Sequence, residues 1–326
     1  MKAMRLHELG DPWDLLQLED IDPPEPEGDL SRIRVEACDL NFADVLQCQG
    51  VYQERHDPPF TPGLSAAGVI DAVGPDSPFE IGQRVIGMTA NGSGGYAEQA
   101  LVASTVEPVP DDIDGMTASG INVTHGTAWF ALHQRGQLQR GETVLVLAAA
   151  GGVGSAAVQM AKAHDCTVIA AAGGPEKVDL CRRLGADVVI DYRAEDLYEK
   201  VKEATGGRGV DVVYDPVGGE YFDIARRLLA WEGRLLVVGF ASGDIPSAPA
   251  NHVLVKNYSV VGVHMGAYKT FAPEVLNQCY AELYDLLRQG LIEPVITEQV
   301  SFDTLPETLH RLANRGTSGR VVFVPS

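Results

Sequence analysis

The rhythm of apolar and polar residues changes about a third of the way along the chain. Near the start, "MKAMRLHEL" and "SRIRVEAC" alternate apolar with polar positions, the two-residue period of half-buried strands. The prolines of "PPEPEGD" part them as a loop. "AAGVIDAVG" followed by "IGQRVIGM" reads as a hairpin-rich β region, and "GGYAEQALV" adds a strand. Helical spacing is brief here, confined to residues 41–49. A compact β-rich module is expected over residues 1–122.

Beyond it, "TASGINVTHGTAWFALHQRG" carries helical spacing, and from Gly141 a repeating unit sets in. Apolar runs ("TVLVLAAA", "CTVIAAA", "ADVVIDY", "VDVVYDPVG", "RLLVVGF") alternate with amphipathic stretches ("SAAVQMAKAHD", "PEKVDLCRRLG", "EDLYEKVKEATGG", "YFDIARRLLAWEG"). Strands buried on both faces and joined by helices imply a parallel, doubly wound sheet, with "SVVGVH" as its sixth strand. This unit is expected over residues 123–265. The remainder, 266–326, has a long helical stretch, a strand, a short helix and the terminal strand "GRVVFVPS". A lone strand cannot stand by itself, so 266–326 is assigned to the β module, which makes that domain discontinuous.

The first strand of the repeating unit runs into "LAAAGGVGSAAVQMAK", residues 147–162. Strand, glycine turn and helix in that order form the context in which a dinucleotide fingerprint is meaningful. Ala149 stands where the first glycine is usual, while Gly151 and Gly154 keep the second and third places. Ala150, Gly151, Gly152 and Val153 are expected to meet a pyrophosphate at the positive end of the following helix. An NAD site would put an acid near Ala172, at the end of the second strand, to hold the ribose 2′-hydroxyl. None is there; "AAGGPEK" offers open space and then Lys177. A 2′-phosphate is favoured by a lysine and repelled by an acid, so the expected cofactor is NADPH.

The formal charge of −20 disfavours nucleic acid and anionic membranes as partners. No run of 18 apolar residues is present, and "MKAMRLHELGDPWD" has no apolar secretion segment, so a cytoplasmic location is expected. Cys38, Cys48, Cys166, Cys181 and Cys279 are scattered and odd in number, which argues against a disulfide framework or a structural zinc lobe.

"AAAGGVGSAAVQMAK", "RLGADVVIDYR", "VYDPVGG", "LLVVGF", "VEACDLNFADVLQCQGVY" and "PFTPGLSAAGVI" together span most of the chain. In these motifs the sequence resembles the zinc-free quinone oxidoreductase branch of the medium-chain dehydrogenase/reductase superfamily. The resemblance implies an α/β protein: a GroES-like β-rich catalytic domain plus a doubly wound Rossmann domain. It implies that Lys177, Tyr192 and Arg315 hold the 2′-phosphate, with Gly173 and Gly174 lining the same pocket. It also places Thr127 on the nicotinamide side and implies a homodimer. Phe240 and Ala241 follow the "LLVVGF" strand, at the carboxyl edge where ligands gather in open sheets.

Zinc-dependent relatives hold their metal at positions that here carry Asn41, Leu64 and Ile121, and Ser65 replaces the neighbouring Glu. These supply no usable ligand set. Without a metal, the hydride acceptor must already be electrophilic, as quinones and α,β-unsaturated carbonyls are. The protein then has to position the acceptor and polarise one oxygen. Asn41 offers an amide donor and Tyr52 a phenol, and Asp44, one helical turn from Asn41, resembles a cleft residue that orients its neighbours. The competing readings are an enoyl-thioester reductase of the acryloyl-CoA type and a non-enzymatic NADPH- or RNA-binding scaffold.

Overall fold

The computed structural model describes residues 1–52, 55–92 and 94–325. The chain forms two compact units, Met1–Val123 with Pro294–Ser326, and Thr124–Glu293.

In the first unit, the alternation seen in the sequence becomes a pleated, one-sided sheet. Its strands lie in the order Ile296–Val300, Arg320–Phe323, Ser31–Asp39, Ser65–Val73, Arg84–Met88 and Glu107–Pro108, with Gln99–Val102 also pairing to Ser31–Asp39. The terminal strand is antiparallel to Ser31–Asp39, with Val322 opposite Asp39 and Phe323 opposite Cys38. Ile33, Val35, Ile70, Val85, Val102 and Phe323 point into one core, and the Tyr96 ring meets Phe323 edge-on at 5.6 Å. Along Ser31–Asp39 burial alternates as far as Glu36 and then becomes continuous through Ala37, Cys38 and Asp39. A charged residue is therefore carried into the interior at the strand's end. Helix Phe42–Cys48 follows directly.

The second unit is a six-stranded parallel sheet. Its order is Val188–Asp191, Thr167–Ala172, Thr143–Val146, Val210–Asp215, Leu229–Val237, Ser259–Gly262. Numbered along the chain this is 3-2-1-4-5-6, the Rossmann order. The central strands are covered on both faces: Val144, Leu145 and Val146 are fully buried, as are Val212, Val213 and Tyr214. That double burial is why these segments read as unbroken apolar runs.

Residues 266–293 lie in this second unit, whereas the sequence reading returned the chain to the β module at residue 266. The cause is helix Pro273–Arg288, whose Glu282 accepts from Trp129 Nε1 at 2.8 Å, and the Phe130–Tyr268 ring contact at 4.3 Å. The return to the first unit comes at Pro294.

Candidate functional site

The glycine turn is built for close approach. Helix Gly152–Ala163 starts from Gly151, and its first intrahelical bond runs from Ser155 N to Gly151 O at 2.8 Å. The N–H groups before it have no partner inside the helix, which is what an anion needs. A Cβ on Gly154 would collide with the Ala148 carbonyl oxygen and stand 2.8 Å from the Ala149 Cα. Gly154 is thus the residue that lets helix and strand touch. The tight turn that the first fingerprint glycine usually makes falls not on Ala149 but on Ala148, which takes a left-handed φ of 49°. Ala149 is buried, and its N–H donates to Ala171 O at 3.0 Å. Holding an alanine left-handed costs roughly 1–2 kcal/mol. Ala150 is buried behind the turn, with Gly152 and Val153 half-buried in the first helical turn.

At the end of the second strand, Ala172 is buried and pairs in register with Asp191 of the third. Gly173 lies under the Tyr192 ring; a Cβ there would be 2.8 Å from the phenol carbon and oxygen. Gly174, at φ 93°, begins helix Pro175–Arg183, which carries the half-buried Lys177 in its first turn. The neighbouring acid, Asp191, turns to the backbone: its Oδ1 accepts from Gly174 N at 2.9 Å and Arg193 N at 3.0 Å. Those two N–H groups hold its carboxyl below the usual carboxylate range. Arg193 Nη1 lies 3.5 Å from where a Gly174 Cβ would be, a cation that the sequence reading passed over. Its signal was available, because it directly follows Tyr192 in "IDYR".

Farther along the sheet edge, Asp215 shapes the loop after the fourth strand by accepting from Val217 N at 2.8 Å and Gly218 N at 2.9 Å. Gly218, at φ 71°, leaves room for the Phe240 ring, whose Cδ1 would be 3.0 Å from a Cβ there. Ala241 N donates to Pro216 O at 3.1 Å. Thr127 sits in helix Gly115–Trp129, and its hydroxyl reaches Met265 Sδ at 3.8 Å. Arg315 belongs to the first unit, after helix Leu305–Ala313, at φ 59°.

The first unit holds a buried polar network around the start of helix Phe42–Cys48. Asp44 is fully buried and accepts three bonds: from Asn41 N at 2.7 Å, Leu64 N at 2.9 Å and the Tyr96 hydroxyl at 2.9 Å. Burial pushes its carboxyl up to about 7 against the pull of those donors. Burial also raises the Tyr96 phenol and the Cys38 thiol, so neither ionises readily. Asn41 Nδ2 donates to Asp39 O at 3.2 Å, and Asn41 Oδ1 accepts from Arg320 Nη2 at 3.2 Å. Arg320 also forms a buried ion pair with Asp39. Tyr52 is half-buried, and its N–H donates to Leu46 O at 3.2 Å. Asp39, Tyr96 and Arg320 escaped the sequence reading. Asp39 alone left a trace, as a charge where an apolar residue would continue the strand.

The three positions that bind zinc in metal-dependent relatives do not fit a metal. Leu64 and Ile121 are buried hydrocarbons and Asn41 is engaged with Arg320. Ser65 accepts from Asn122 Nδ2 at 2.6 Å. Among the described residues no group of three His, Cys, Asp or Glu side chains is placed to hold a metal ion. The five cysteines are all buried and unbridged. No helix among the described residues is long and apolar enough to cross a membrane.

Residues 27–111 match the family described as alcohol dehydrogenase GroES-like domain, and residues 152–281 that described as zinc-binding dehydrogenase. The chain is 39% identical over 311 residues to a quinone oxidoreductase-like protein 2 of Bos taurus, covering 94% of this chain and 88% of that one. A quinone oxidoreductase structure from Pseudomonas syringae superposes with a TM-score of 0.92 at 30% identity, over 99% of both chains. An Escherichia coli quinone oxidoreductase complexed with NADPH gives a TM-score of 0.91 at 27% identity, over 100% of both. The chain belongs to the quinone oxidoreductase branch of the medium-chain dehydrogenase/reductase superfamily. Its GroES-like and Rossmann units are the two domains of that family.

Proposed function

We propose that this protein is an NADPH-dependent oxidoreductase that reduces quinones or α,β-unsaturated carbonyls without a metal. The observation that carries the reading is the pairing of apolar Leu64 and Ile121 at the ligand positions with a buried amide donor at Asn41. Such a site can polarise an oxygen by hydrogen bonding but cannot supply a Lewis acid.

NADPH, when bound, supplies a hydride. The first helical turn would offer the backbone N–H groups of Gly152 and Val153 to the pyrophosphate, Gly151 N being already bonded to Ala148 O at 2.9 Å, and Gly154 keeps helix and strand close. Lys177 and Arg193 would supply positive charge for a 2′-phosphate beside Gly173 and Gly174, with Tyr192 as a further donor. Thr127, Phe240 and Ala241 would hold the nicotinamide end. Asn41 donates an N–H to the acceptor oxygen, and Tyr52 or water delivers the proton that completes reduction. Asp44 orders this region through its bonds to Asn41 and Leu64.

The test follows NADPH absorbance with 1,4-benzoquinone, 9,10-phenanthrenequinone and a simple enone, each with and without a chelator. Turnover insensitive to chelation is expected. Firm NADPH binding with turnover of none of them would favour a non-enzymatic binder, and chelator-sensitive turnover would overturn the metal-free reading.

The cofactor assignment predicts that Lys177→Ala weakens NADPH by about 10- to 100-fold, the worth of one charge-assisted contact, and leaves NADH nearly unchanged. Arg193→Ala is expected to act in the same direction. Equal losses for both nucleotides in a binding titration would remove the 2′-phosphate from this corner.

A further inference from the structure

We propose that Asp39 and Arg320 are a positioning pair that fixes the Asn41 carboxamide, so that one of its N–H bonds is held ready for the acceptor oxygen. The inference rests on the preceding reading for what Asn41 does in turnover, but its geometric content stands by itself.

Asn41 could in principle lie with its amide either way round. Two neighbours decide the matter. A guanidinium only donates, and Arg320 Nη2 faces Asn41 Oδ1 at 3.2 Å. A backbone carbonyl only accepts, and Asp39 O faces Asn41 Nδ2 at 3.2 Å. Turning the amide over would set donor against donor and acceptor against acceptor. The backbone is pinned as well, because Asn41 N donates to Asp44 at 2.7 Å. An amide nitrogen carries two hydrogens: one goes to the Asp39 carbonyl, and the same hold on the carboxamide sets the direction of the other.

The ion pair is costly if stability is its purpose. Its side chains are 7% and 0% exposed, and a buried pair of this kind seldom improves on apolar packing. Nor is it optimised, since Arg320 Nε has no hydrogen-bond partner among the described residues. What the pair does accomplish is register. Asp39 lies on the strand leading into Asn41, and Arg320 lies on the terminal strand that pairs with it, Val322 opposite Asp39. Arg320 thereby reaches across to the Asn41 oxygen from a neighbouring strand.

The experiment reads Asn41 directly. In selectively 15N-asparagine-labelled protein, the Asn41 side-chain resonance is assigned by its disappearance in Asn41→Asp, and its hydrogen exchange is measured. Arg320→Met is expected to speed that exchange at least about tenfold and to lower kcat on the order of ten- to a hundredfold, with NADPH Kd unchanged. Arg320→Lys should fall between. Adding Asn41→Ala to Arg320→Met should cost nothing further. If Arg320→Met does not fold, the paired variant Asp39→Leu with Arg320→Met removes both charges and serves in its place. Unchanged Asn41 exchange, or losses of kcat that simply multiply, would overturn the proposal. Faster exchange together with full kcat in Asn41→Ala would uphold the positioning and overturn the catalytic part given to Asn41.

Discussion

Replacing Gly154 by alanine is expected to destabilise the second unit by about 1–3 kcal/mol and to lower NADPH affinity by at least about 100-fold. The added methyl would meet the Ala148 carbonyl oxygen and, at 2.8 Å, the Ala149 Cα. Both are backbone atoms of the preceding turn, so no side chain can swing aside. Helix Gly152–Ala163 would have to lift from the strand, which re-aims the N–H groups of its first turn. Gly151→Ala separates the two effects. Its Cβ would have one neighbour, Ala148 O at 3.3 Å, and its φ of −79° suits any residue. The fold should tolerate that change to within about 1 kcal/mol, while a side chain there obstructs a close pyrophosphate. Urea denaturation and an NADPH titration read the two quantities for each variant. Gly154→Ala with NADPH affinity within threefold of the parent would show that this turn is not the phosphate site.

That glycine was legible because a three-residue glycine spacing between a strand and a helix has few other uses. Ala148 was not, because nothing in the letter alanine announces a left-handed backbone. The parallel sheet could be read from its apolar runs, since a strand covered on both faces has no polar positions to keep. The extent of the second unit was harder. The amphipathic helix Pro273–Arg288 declares that one face is buried but not against what, and Trp129 and Glu282 are 153 residues apart in sequence. The buried network shows the same limit more strongly. Asn41 and Asp44 are neighbours in the chain and were found together. Asp39 and Arg320 are 281 residues apart and meet only because two strands pair. Lys177 was legible from the missing acid after the second strand and Tyr192 from resemblance; Arg193 directly follows Tyr192, and the structure adds its place beside Gly174.

Asp44→Asn is expected to be less stable than the parent by about 1–3 kcal/mol at pH 5, with the gap closing as pH rises toward 7. Three buried donors converge on this carboxyl, from Asn41, Leu64 and Tyr96. Only the Tyr96 hydroxyl can reverse and accept a hydrogen bond from the protonated carboxyl. An asparagine here presents one oxygen and an NH2 group, so at least one backbone N–H is left facing a donor. The pH dependence follows from the folded carboxyl titrating near 7 against 3.8 unfolded, a shift caused by burial. Between those values the unfolded chain has lost the proton and the folded chain keeps it. The folded state then binds more protons, so stability falls as pH rises, by up to about 1.4 kcal/mol per pH unit. The contribution is complete below the unfolded value and gone above about pH 7. Burial raises Asp39 too, which adds a slope of the same sign, but Asp44→Asn leaves that slope in place. The difference between parent and variant therefore isolates Asp44. Urea denaturation at pH 5, 6, 7 and 8 measures it, and parallel curves across that range would mean that Asp44 stays ionised in the folded protein. In that case the three donors outweigh burial, and the network around Asn41 carries a fixed negative charge.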